Sequence, residues 1–421
     1  MPTTPIPDID LAARLFEALR EKTFDGVGVT RDAYGPGEQA AHDLMTATGE
    51  GLGLEVQTDP AGNLYLTFPG RDRGAKRIIL GSHLDSVPHG GNYDGAAGVL
   101  AGMAAVAGMM RARFTPERDV TVMAIRAEEA GAWFPVSYPG SNAALGRLPP
   151  EHLDIRRLDT GRTLAEHMRA LGFDPDWVRA GKAWLTPSNT GAYLELHIEQ
   201  GPVLDAEGLP VAIVTGIPSS RRLRSARVIG EYNHSGATPR RYRQDAAMAL
   251  AELATGLDDH WARLETQGHQ LVCTFCVLAT TEAAGFTKIP GEAVFQLDVR
   301  SVQRENVDAI FTELARLVPA IEARRGVRFE LGSESSSTAS LMDADIQRRL
   351  VQAAESLRVP YRVMPSGGGH DAAAFAQAGV PAGMLFVRNQ NGSHNPHEAM
   401  RTEDFAAGCA VVTQWAAEMA A

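Results

Sequence analysis

The chain has 421 residues, 44% of them apolar, which is more than one ordinary domain holds, so two domains are expected. A formal net charge of −11 argues against nucleic acid or an anionic membrane surface as partner. Three cysteines make no disulfide framework, and the opening "MPTTPIPDID" shows no basic, then apolar, leader; a reducing cytoplasm is the expected setting.

In chain order, the first segment alternates β-rich stretches with helical patterns. "NLYLTF" (63–68), "KRIILGSHL" (76–84), "DVTVMAIRAEE" (119–129) and "AYLELHIEQG" (192–201) read as strands, with helices over 97–112 and 161–171. The longest apolar run, "GVLAGMAAVAGMM" at 98–110, is too short to span a bilayer and suits a buried helix. Such alternation predicts an α/β fold, a mainly parallel sheet with helices on both faces, whose sites form at the carboxyl ends of the strands. After about residue 215 the pattern changes to strand, helix, two strands, helix, strand: "RSARVIGEYNHS", 245–265, "QLVCTFCVLATT", "EAVFQLDVRS", 306–325 and "VRFELGS". That βαββαβ order is the ferredoxin-like α+β arrangement. Helix, Gly-rich loop and strand return from 344. The simplest organisation is one catalytic domain in two segments, 1–215 and 333–421, with a smaller domain, 216–332, inserted. Cys273 and Cys276 form a C-x-x-C without a partner pair and read as core thiols.

Metal-capable residues gather where the strands end. The first cluster, "GSHLDSVPHGGNYDG", holds His83, Asp85 and Asp94; "RAEEAG" holds Glu128 and Glu129; "LELHIEQG" holds His197, Glu199 and Gln200; "NGSHNPHE" holds His394 and His397. One such cluster arises by chance, but four in matching positions point to a shared metal centre, and mixed imidazole and carboxylate suits zinc, manganese or cobalt. Adjacent residues in extended chain face opposite sides, so one of Glu128 and Glu129 can bind metal while the other faces substrate. His152, His167, His260 and His269 read as ordinary hydrogen-bonded histidines. No G-x-S-x-G elbow, phosphate-binding G-x-x-x-x-G-K-[ST] or H-E-x-x-H helix is present in the sequence.

"GSHLDSVPHGGNYDGAAGV", "EE" before "WF", "ELHIEQGPVL", "NHSGATP", "PSGGGHDA" and "NGSHNPHEAM", in this order, resemble the amidase/hydantoinase/carbamoylase branch of the dinuclear zinc exopeptidase superfamily (peptidase family M20). The resemblance implies two divalent metal ions per subunit, zinc or else manganese or cobalt, and a homodimer whose inserted domain makes the dimer contact and part of the active site. It implies that His83, Asp94 and His197 hold one ion, that Asp94 bridges to a second completed by Glu129 and His394, and that Asp85 orients His83. Glu128 then matches the general base, and His234 a residue from the partner subunit that stabilises the oxyanion. Gln200, Arg221, Arg222, His234, Thr287, Arg300, Gly368 and Gly369 fall at substrate positions, with Arg300 gripping a substrate carboxylate, and His397 stays structural. Two departures stand out: Thr287 replaces the asparagine of a common "NVIPG", and "EEAGAWF" places Trp133 where arginine is frequent, with one extra residue. The expected reaction is hydrolysis of an N-carbamoyl-L-amino acid to the amino acid, carbon dioxide and ammonia. The same machinery could act on a related ureido or acyl amide, and a metal-bearing binding protein would lack the base or a ligand.

Overall fold

The structure, a computed structural model, describes residues 5–129 and 131–421. The chain divides into two compact units, one running to Thr215 and resuming with Leu341–Ala421, the other Gly216–Ser340. The second unit ends later than 332 because the strand Glu334–Ser336 pairs with Ser219–Ile229 of the same unit.

Eight strands form the sheet of the first unit: β1 (Glu55–Thr58), β2 (Leu64–Phe68), β3 (Arg77–His83), β4 (Val120–Ile125), β5 (Thr190–Ile198), β6 (Val211–Val214), β7 (Tyr361–Met364) and β8 (Ala382–Val387). Their order is β1-β2-β4-β3-β5-β8-β6-β7. The four central neighbours, β4, β3, β5 and β8, are all mutually parallel, so their carboxyl ends share one edge. Antiparallel pairs occur at β1–β2, β2–β4 and β8–β6.

Alternation along the strands sends their side chains to two separate layers. Ile78, Leu80, Val122, Leu194, Leu196 and Leu385 pack in one cluster with the helices Ile9–Thr23, Ala96–Arg111 and Thr402–Ala420. Tyr193 points the other way and stacks on Phe375 at 3.8 Å, while Phe386 meets His370. The helix Ala96–Arg111 is buried on every side through Met109, which explains why its sequence is apolar throughout. Its approach to the sheet depends on Gly98, where a Cβ would sit 2.2 Å from the Leu196 carbonyl oxygen.

In the second unit four strands lie in the order Val272–Thr280, Glu292–Ser301, Ser219–Ile229, Arg328–Glu330, every neighbouring pair antiparallel. The helices Ala246–Thr266 and Arg304–Arg325 share a core with one face of this sheet, through Leu253, Leu257, Ile310 and Leu314. This is the strand order that the ferredoxin-like pattern demands. The C-x-x-C splits across a bulge in its strand: Cys273 is buried but Cys276 is exposed, so only the first is a core thiol.

Candidate metal centre and active site

The four central strands deliver the clusters. β3 ends on His83, β5 carries His197 one residue from its end, Glu128 and Glu129 follow β4, and His394 follows β8. Three non-glycine residues here sit in the left-handed region, Ala127 (φ 55°), Gln200 (φ 63°) and His394 (φ 60°), an unfavourable conformation that concentrates at working sites. Gly95, immediately after Asp94, has φ +65° and lies so close to the His83 ring that a Cβ would fall 2.4 Å from it.

Both buried imidazoles are oriented by a backbone carbonyl. His83 Nδ1 lies 3.1 Å from the Asp85 carbonyl oxygen and His197 Nδ1 lies 2.9 Å from that of Ile198, so each Nδ1 donates outward. Each Nε2 is thereby turned to the centre, and the two face each other at 3.4 Å. Asp94 Oδ1, buried and accepting no hydrogen bond, lies 3.2 Å from His197 Nε2 and 3.5 Å from His83 Nε2. The Gly95 N–H at 3.3 Å is a weak donor to the His197 lone pair. Two imidazole nitrogens and a carboxylate oxygen converging in a buried site is a donor set that fits a cation.

The other Asp94 oxygen faces a second group. Oδ2 and Glu129 Oε1 each lie 3.5 Å from His394 Nε2, and Gln200 Nε2 donates to Asp94 Oδ2 at 2.7 Å. Asp94, Glu129 and His394 thus bring ligand atoms together, as do His83, Asp94 and His197. A carboxylate shared by two such triplets fits a dinuclear centre. Glu128 lies beside it, with Oε2 3.8 Å from His83 Nε2. Asp85 does more than face His83: its two oxygens accept from the Glu128 and Glu129 N–H groups at 2.9 and 3.0 Å, fixing the paired glutamates.

Electrostatics agree. Burial pushes the Glu128 carboxyl well above its ordinary range, the His83 charge opposing and the Glu129 and Asp371 charges adding to it. Burial, then the Asp94 charge, raises Glu129 to about 7. The Asp94 hydrogen bond, helped by the nearby Glu129 charge, raises the exposed His394 to about 9. Crowded buried carboxylates that hold protons this tightly are the environment a divalent ion would neutralise.

Several contributors carry no signature in the sequence. Glu398 accepts from the Tyr93 and Asp94 N–H groups and from Ser393 Oγ, which also reaches Asp94. Fully buried Arg31 binds the Leu84 and Asp94 carbonyls and Asn92. Glu195, His197 and His370 form a further convergent group behind the cluster. Glu199, by contrast, caps the turn at Val203 and Leu204, and His397 is exposed. Gln200, Gly368, Ser393 and His394 line an open cleft of about 300 Å³. Gly369 packs where a Cβ would strike the Tyr138 hydroxyl.

The remaining substrate positions lie within the second unit. His234 and Lys288 pair across a short ribbon, and the Ser235 N–H donates to the Thr287 carbonyl at 2.9 Å. The exposed His234 ring accepts from the Gly236 and Ala237 N–H groups on Nδ1, which puts its proton on Nε2. The two neighbouring arginines part company. Arg221 pairs in register with buried Val299, lies over the Phe311 ring and is clamped by Glu334 on the helix-covered face. Arg222 and Arg300 turn to the other face, where both bind Asp298. Arg221 is thus held in an ion pair on the helix-covered face, while Arg222 shares the face of Arg300.

A strand-end cluster of this composition on a centrally parallel sheet suits metal-assisted hydrolysis, and comparison gives the class of protein. The model for peptidase family M20/M25/M40 matches residues 79–418, and the chain belongs to that family. It is a hydrolase acting on amide bonds. It is 37% identical over 391 residues to an N-carbamoyl-L-amino acid amidohydrolase of Geobacillus stearothermophilus, covering 92% of this chain and 93% of the relative. It is 33% identical over 387 residues to an allantoate amidohydrolase of Escherichia coli (strain K12), covering 90% of each. A solved amidase of the hydantoinase/carbamoylase family from Burkholderia multivorans superposes with a TM-score of 0.88 at 27% identity, over 100% of this chain and 99% of that one.

Proposed function

We propose that this protein hydrolyses N-carbamoyl-L-amino acids to the L-amino acid, carbon dioxide and ammonia, as a cytoplasmic homodimer joined through the inserted unit. The observation that carries the chemistry is Asp94, with one oxygen on the His83–His197 pair and the other on the Glu129–His394 pair, beside Glu128. These five side chains would hold two divalent ions, zinc, manganese or cobalt, which when bound lower the pKa of a shared water and polarise the scissile carbonyl.

The chain's own groups do the rest. Glu128 takes the proton of the attacking water and passes it to the departing nitrogen, a task that suits a carboxylate whose burial has raised its proton affinity. His234, with its proton on Nε2, donates to the developing oxyanion, reaching it from the partner subunit. Arg300, with Arg222 beside it, binds the substrate carboxylate. Gln200 and the Gly368–Gly369 backbone hold the carbamoyl end, and Thr287 occupies the place where relatives use an amide. The relative from Geobacillus supports the carbamoyl group, and the allantoate relative supports the wider ureido class.

The test is a substrate panel on metal-reconstituted protein: N-carbamoyl, N-formyl and N-acetyl amino acids, β-ureidopropionate and allantoate. Ammonia release greatest from an N-carbamoyl-L-amino acid supports the proposal. Carboxylate release from N-acetyl substrates exceeding it, or allantoate as the best substrate, overturns it.

A further inference from the structure

We infer that Asp298 is a positioning residue that fixes Arg222 and Arg300 as one receptor for a substrate carboxylate; this rests on the proposal that these arginines meet substrate. Three observations within the second unit carry it. First, register puts the three side chains together. Asp298 pairs with Arg222 across the strands, and Arg300 follows two residues later on the same face.

Second, one carboxylate oxygen holds both heads. Asp298 Oδ2 accepts from Arg300 Nε at 3.0 Å and Nη2 at 2.8 Å, and lies 3.1 Å from Arg222 Nε. Asp298 is the least exposed of the three, at 12% of its side chain against 32% and 34% for Arg222 and Arg300. Its other oxygen is buried and accepts no hydrogen bond. A buried carboxylate drawn down beneath two half-exposed guanidinium groups restricts their rotation while leaving both cations at the surface.

Third, arginines cluster here: Arg224 stands on the same strand as Arg222, hydrogen-bonded to the neutral Ser335 hydroxyl at 3.3 Å. Elsewhere on this sheet Arg227 is matched by Glu330 and Glu292. In a chain whose formal net charge is −11, this is a built cationic patch. Its chemistry suits a small monoanion such as a carboxylate.

The experiment compares Asp298→Asn with the wild type on metal-reconstituted full-length enzyme. Two substrates are used, an N-carbamoyl amino acid and its carboxamide, in which the carboxylate is neutral. The expected result is a KM raised about tenfold or more for the acid, the loss that follows when a charge-assisted contact is misplaced, with kcat within about threefold. For the carboxamide, KM should not change. Asp298→Glu should recover part of the loss, since it restores the charge.

Equal KM increases for both substrates would mean a merely structural role and overturn the inference. So would an unchanged KM, or a lowered one, the latter meaning that Asp298 competes with substrate for the arginines. If the wild type itself does not prefer the acid over the carboxamide, the proposed role of Arg222 and Arg300 fails first. If that preference is intact and Asp298→Asn preserves it, only the role of Asp298 fails.

Discussion

In the proposed reaction Glu128 is the side chain on which the chemistry turns, and that role is distinct from holding metal. It is 8% exposed, adjoins the proposed ligand Glu129 and is held by its backbone on Asp85 rather than by its carboxylate. Glu128→Gln keeps size and polarity but removes the proton acceptor. We expect kcat to fall about 10²–10⁴-fold while bound metal, counted by elemental analysis, stays at the wild-type stoichiometry. A variant that turns over normally would remove Glu128 from the role of base. The five proposed ligands could be picked out of the sequence as candidates because histidine and carboxylate announce their chemistry wherever they stand. Arg31, Glu398 and Asp298 could not, because their roles come from which distant groups they touch: Arg31 binds the Asp94 carbonyl 63 residues away, and Glu398 binds the Asp94 N–H 304 residues away.

At the scale of elements, the centre depends on how closely the helix Ala96–Arg111 seats against the sheet, since Asp94 and Gly95 lead into it. Gly98→Ala would place a methyl group against the Leu196 carbonyl and the Ser82 side chain, where neither backbone can yield cheaply. It should destabilise the protein by about 1–3 kcal/mol in urea unfolding. Gly51→Ala is the matched control: it lies in the helix Pro36–Leu52 with open space around it, and should stabilise by about 0.4–1 kcal/mol. Equal effects at both positions would mean that helix propensity, rather than close approach, governs Gly98. Apolar, β-rich runs placed the starts of β2 to β5 within a residue or two but overran the ends of β4 and β5, because strands buried on both faces read as near-continuous apolar stretches with no sharp stop. It could not separate Arg221 from Arg222, since both are long cations and only the facing residues, buried Val299 and Asp298, decide which side is which.

For the whole molecule, the second unit is inserted at a point where the flanking chain is already joined: the Met342 N–H donates to the Thr215 carbonyl at 3.0 Å. Replacing residues 216–340 with a short Gly-rich linker should therefore leave a folded first unit. We expect it to bind divalent metal, measured by calorimetry, to sediment as a monomer and to have no detectable amidohydrolase activity. Retained activity would show that His234, Arg222 and Arg300 are dispensable, and a retained dimer would place the subunit contact outside the insertion. What the sequence determined by itself was the central strands, the order of the two segments around the insertion and the residue types at each strand end, all of which follow from local pattern and side-chain chemistry. Tertiary structure alone decided which ring nitrogens face the centre, which oxygen of Asp94 meets which pair, and which arginine faces outward. Those depend on distances between groups up to hundreds of residues apart, and no local pattern encodes a distance.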